Sequence, residues 1–174
     1  MASEKIQIPC RLWPSRAVNT NASVAPFTIS GSHFQPECIQ LADLLDSNVE
    51  LITLLPVPAW VHATTPNGKL RIGYVPSVGS GTLKVACQAK AGAPASVSFS
   101  ISSGWTVDTS ATDAVAAANT PRTFDIALTA MAASLVPGNL VFGLLKRLAQ
   151  TDAADTMAGT CGLLYANLIL DDNV

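Results

Sequence analysis

At 174 residues the chain is long enough for one domain with a real hydrophobic core and too short for two ordinary ones. Apolar residues make up 49% of it and charged residues 13%, about half the usual share of charge, so much of the surface is expected to be covered by further copies of the chain. Ten Lys and Arg against twelve Asp and Glu give a formal net charge of −2, and the bases form no run longer than Lys146-Arg147, so the chain lacks the arginine-rich arm with which many proteins neutralise nucleic-acid phosphate.

Residues 1–25 show little periodicity and hold only Lys5, Arg11 and Arg16 as bases, so they read as an N-terminal arm ahead of a folded domain over 26–174. The opening MASEKIQIPC has no apolar run of signal-peptide length, which points to a protein kept in the cytosol. In FTIS, Phe27 and Ile29 alternate with Thr28 and Ser30, the period of a half-buried strand over about 26–32. Ser47 and Glu50 have capping-box spacing, Val49, Ile52 and Leu55 share a helical face, and Pro56 stops it. That pattern predicts a short helix.

PAWVHATTPNGKLRIGYVP then predicts strands over about 58–64 and 69–76, with Pro66-Asn67-Gly68 as the turn between them. Leu70, Ile72 and Tyr74 alternate with Lys69, Arg71 and Gly73, giving one apolar and one basic face. Alternation resumes over 82–89 and 95–102, a short helix capped by Thr112 or Asp113 is predicted near 112–118, and Phe124, Ile126 and Leu128 mark a strand over 123–130. NLVFGLLKRLAQ has spacing that also fits a helix, but Pro137-Gly138 before it and Gly143 within it favour a strand over 139–148. CGLLYANLIL, over 161–170, is expected to be its partner. Eight such strands make an all-β fold, an eight-stranded antiparallel jelly-roll sandwich with short helical insertions. No apolar run approaches the ~20 residues of a membrane-spanning helix.

Chemistry-bearing residues are sparse. Cys10, Cys38, Cys87 and Cys161 are scattered without metal-ligand spacing and read as small buried hydrophobes. Only His33 and His62 are available as catalytic bases, no nucleophile elbow occurs, and GSGTLK lacks phosphate-loop spacing and reads as a surface turn. No enzyme activity, cofactor or metal is expected.

The order of arm, strand and short helix, then PAWVHATTPNGKLRIGYVPSVGSG with its W-V strand and G-x-V-P strand end, and late TFDIALTAMAAS, LVPGNLVFGLLKRL and TCGLLYANLIL, resembles plant-virus coat proteins of the tymovirus type over roughly residues 25–170. The resemblance implies a self-assembling icosahedral capsid of jelly-roll subunits around positive-strand RNA. Its place would be the virion, with assembly in the host cell cytoplasm and no membrane partner. With so few bases, viral single-stranded RNA would be bound weakly and without sequence readout. Lys69 and Arg71 share the strand face opposite the core and are the first candidates for phosphate contact, joined by Arg11, Arg16 and His62. The alternatives are that Lys69 and Arg71 face outward or pair with acids across a subunit boundary, and that His62 packs neutral against Trp60. A different function class is a non-viral jelly-roll binding module of the carbohydrate-binding type. Against it stand an aromatic content of only 6% and dispersed acids.

Overall fold

The computed structural model describes residues 5–14, 21–26, 36–59, 67–94, 109–129 and 135–171. Ten strands run through them: β1 (Lys5–Pro14), β2 (Ala22–Pro26), β3 (Glu37–Leu41), β4 (Ser47–Thr53), β5 (Asn67–Pro76), β6 (Thr82–Gly92), β7 (Thr109–Ala114), β8 (Arg122–Ala127), β9 (Leu140–Arg147) and β10 (Cys161–Asp171). Every pairing among them is antiparallel, and the sheet folds on itself into a two-layer sandwich of the jelly-roll kind.

One layer runs β8–β5–β10. The far edge of β10 is divided, its Cys161–Leu163 end pairing β3, which carries β2, and its Ala166–Asp171 end pairing the first half of β1. The second layer runs from the latter half of β1 through β4, β9 and β6 to β7. β1 therefore passes from one layer to the other, and Cys10 sits at the handover, opposite both Ala166 and Thr53. Strands that switch layers in this way make the corners of sandwiches. Pro9 lies just before the corner with no N–H to give a ladder, and its carbonyl accepts from Leu54 at 2.9 Å.

The core lies between the layers because the strands alternate. Leu70, Ile72 and Tyr74 of β5, Ile126 of β8 and Leu168 of β10 meet Val49 and Leu51 of β4, Leu145 of β9 and Val85 of β6 in one buried cluster. Each such side chain contributes roughly 1.5–3 kcal/mol by leaving water. A buried ion pair closes one end. Arg147, fully buried, donates to Asp155 at 3.1 and 3.2 Å and to the carbonyls of Ala42, Gly159 and Met157 at 2.9, 2.6 and 2.6 Å. Its donors are satisfied, so the charge is tolerated, and removing Asp155 would cost about 3–5 kcal/mol by leaving it uncompensated.

Several expectations are corrected. The helix over 47–55 is strand β4 and the loop after it: Ser47, Val49, Leu51 and Thr53 are buried at period two, and the Ser47 hydroxyl accepts from the Ala42 N–H at 2.9 Å instead of capping a helix. The helix near 112–118 is the end of β7 and a turn through Asn119 at φ 53°. The described part of the arm is β1 and most of β2, paired within the sheet. Asn67 and Gly68 lie within β5, not in a turn. A Cβ on Gly68 would stand 2.4 Å from Leu135 Cδ1, so this glycine serves close packing. β9 is a strand as expected, but it pairs β4 and β6 and does not pair β10. The strand expected over 58–64 falls mostly outside the described residues, Pro58 and Ala59 being no strand; that over 26–32 falls outside them but for Pro26, the end of β2, and that over 95–102 falls wholly outside.

Candidate ligand-binding face

The second half of β1 presents two side chains to the outside of the sandwich. Because Leu12 turns toward the core, alternation places Arg11 and Trp13 on the opposite face. Register sets Arg11 opposite Ile52 and Trp13 opposite Glu50, and continues the rows to Phe142 and Leu144 on β9. The Trp13 indole N–H donates to Glu50 Oε2 at 2.5 Å, a charge-assisted bond that fixes the ring. Trp13 is half-buried and stands between two hollows. One, of about 340 Å³, is lined by Arg11, Trp13 and Ile52. The other, of about 480 Å³, is lined by Trp13, Pro14, Val24 and Glu50. An aromatic wall with apolar neighbours and a few placed polar groups is the usual composition of a small-ligand site.

Two of the expected site residues lie away from this face. Lys69 and Arg71 share the face opposite the core, but Asp125 of β8 occupies both, at 3.0 Å from Lys69 Nζ and 2.8 Å from Arg71 Nε. They pair within the chain and not across a subunit boundary. Arg16 and His62 lie outside the described residues, as do His33 and Trp60. Arg11 alone among the candidates sits at a described hollow.

Trp13 and Glu50 were missed for a physical reason. Ile6, Ile8, Cys10 and Leu12 do alternate, but Pro9 and Pro14 mask the strand, and Glu50 sits at capping-box spacing from Ser47. Reading β1 from Ile6-Ile8-Cys10-Leu12 would have put Trp13 outside.

The four cysteines are unbridged, and Cys38, Cys87 and Cys161 are buried, as expected. Burial pushes the thiol of Cys10 up to about 11 and that of Cys161 up to about 12, so neither is a nucleophile at neutral pH. Among the described residues no group of three His, Cys, Asp or Glu could hold a metal, and no helix is long and apolar enough to cross a membrane. GSGTLK forms a turn at Gly81, φ +98°, where a Cβ would meet the Thr156 carbonyl oxygen at 2.6 Å.

No family model and no curated protein matches the chain. Solved structures do. A family 11 carbohydrate-binding module from Clostridium thermocellum, in complex with a β-1,3-1,4-mixed-linked tetrasaccharide, is similar at 10% identity over 98% of this chain and 96% of its own, with a TM-score of 0.43. A family 35 carbohydrate-binding module from the same organism is similar at 12% identity, 96% and 97% coverage and a TM-score of 0.42. A mannohexaose complex of a carbohydrate-binding module from Caldicellulosiruptor saccharolyticus gives 10%, 98% and 98%, and 0.42. These neighbours are named as sugar-binding modules and not as shell proteins, and the expected coat-protein function, with its capsid assembly and RNA partner, is corrected on that finding. Likeness at this distance carries no argument of its own, and what replaces that function rests on the geometry of the Trp13 face.

Proposed function

We propose that this protein is a carbohydrate-binding module, non-catalytic, that takes a glycan along the outer face of β1 and β4. The observation that carries the reading is the Trp13 ring, fixed by Glu50 between two open hollows. A pyranose ring has an apolar C–H face and a rim of hydroxyls. Trp13 supplies a rigid apolar surface for the first, and Glu50 and Arg11 supply an acceptor and donors for the second. Catalysis is not part of the reading. Glycoside hydrolysis uses two carboxylates facing each other across the bond, and among the described residues lining these hollows Glu50 is the one carboxylate.

Affinity electrophoresis tests this. Native gels containing mixed-linked β-glucan, galactomannan, xylan or polygalacturonate should retard the protein in at least one case. Trp13→Ala should run there as it does without polysaccharide, and Trp13→Phe, which keeps a ring, should be retarded in part. Mobility unchanged in every gel, or a Trp13→Ala variant retarded like the parent, would overturn the proposal.

A further inference from the structure

Most of the described bases are ion-paired within the chain. Lys69 and Arg71 share Asp125, Lys84 pairs Asp152, Arg122 pairs Asp113 and Arg147 pairs Asp155. Lys90 and Lys146 also have partners. Among the described side chains Arg11 is the base left without an ion pair or a hydrogen bond, and it is exposed on the rim of the Trp13 hollow. Its isolation follows from the register. The residue opposite is Ile52, which offers no acceptor, and the carboxylate two pairs further on, Glu50, holds the indole N–H of Trp13.

A guanidinium presents parallel N–H groups that match the two oxygens of a carboxylate or a sulfate, and such bidentate pairs are the stronger, more directional hydrogen bonds. Arg11 and Trp13 are two strand residues apart, about 7 Å. A glycan ring against Trp13 would therefore bring a charged substituent, its own or its neighbour's, to Arg11. Resting on the carbohydrate reading above, we propose that the ligand is an acidic glycan, whose anionic oxygens pair with Arg11 while the ring lies against Trp13.

Titration calorimetry with three polymers tests the proposal: polygalacturonate for the carboxylate, dextran sulfate for the sulfate ester, and unmodified dextran as the neutral control. One of the two acidic polymers should bind at least about tenfold more tightly than dextran, and which one does identifies the anion. Arg11→Gln should weaken that binding about tenfold or more, the effect of losing a hydrogen bond to a charged group. Arg11→Lys should recover part of it, and Trp13→Ala should abolish it. Arg11 is exposed on a strand, so its substitution leaves the fold intact and melting curves should superimpose. Acidic-polymer binding unaffected by Arg11→Gln would overturn the inference. So would equal binding of acidic and neutral polymers that still requires Trp13, and that result would leave the carbohydrate reading standing. Absence of binding to any of these polymers, together with no retardation by the glycans above, would overturn both.

Discussion

Asp113 and Asp125 are the side chains through which acid should act on this fold. Arg122 donates to Asp113 at 2.7 and 3.0 Å and the Tyr74 hydroxyl at 2.5 Å, while Arg71 grips Asp125 at 2.8 and 3.0 Å. Arg122 first, and then Tyr74, hold the Asp113 carboxyl below its usual range, and Arg71 followed by Lys69 does the same for Asp125, in each case against the pull of burial. A carboxylate depressed in the folded state stabilises it fully above the unfolded value of about 3.9 and loses that contribution as pH falls through the folded value. Tyr74 works at the other end. Burial, and then Asp113, push its phenol up, so its contribution is complete below about pH 10 and is lost as pH rises through the raised value. The melting temperature should therefore hold from neutrality down to about pH 4 and fall below it. Asp113→Asn and Asp125→Asn should each start lower at neutral pH and lose less on acidification. Parallel acid profiles for parent and variants, followed by circular dichroism, would remove these carboxylates from the account.

The strands make sense once their glycines are read as packing devices. Gly143 of β9 lies opposite Leu51 of β4, and a Cβ there would stand 2.8 Å from Leu51 Cγ and 2.9 Å from Cδ1. The missing side chain is what lets Leu51 fill the core. Gly143→Ala should lower stability by about 1–3 kcal/mol through overpacking. In a Leu51→Ala background the same change should cost less than half as much, because the clash is gone. Equal costs in both backgrounds, measured by urea unfolding, would show that Leu51 is not the residue it meets. Gly143 also shows what the sequence could convey. It marked its segment as a strand, and Leu70-Ile72-Tyr74 and Phe124-Ile126 likewise announced β5 and β8 by alternation alone. The segments that misled had competing signals: capping-box spacing in β4, prolines in β1, turn chemistry at Asn67-Gly68. In each the tertiary environment overrode the local preference, since a seven-residue stretch such as Ser47–Thr53 gains more from pairing on both edges than from an isolated helical turn. Which strands pair was not legible, because alternation fixes a strand's faces and not its neighbours.

For the whole molecule, the crossing of β1 between layers decides where a ligand can sit. Before the corner β1 is bound into the β10 layer, and after it Arg11 and Trp13 stand on the outside of the β4 layer, beside the described hollows. Tyr165 belongs to the other layer, exposed on β10 with its ring against Gly73, where a Cβ would come within 2.3 Å of it. The two aromatics thus report on two different surfaces of one sandwich. Hydroxyl-radical footprinting, read by mass spectrometry with and without a glycan that retards the protein, compares them directly. The expected result is that bound glycan suppresses oxidation of Trp13 and leaves Tyr165 oxidised as in the free protein; protection of Tyr165 with Trp13 unchanged would contradict the placement of the site on β1 and β4.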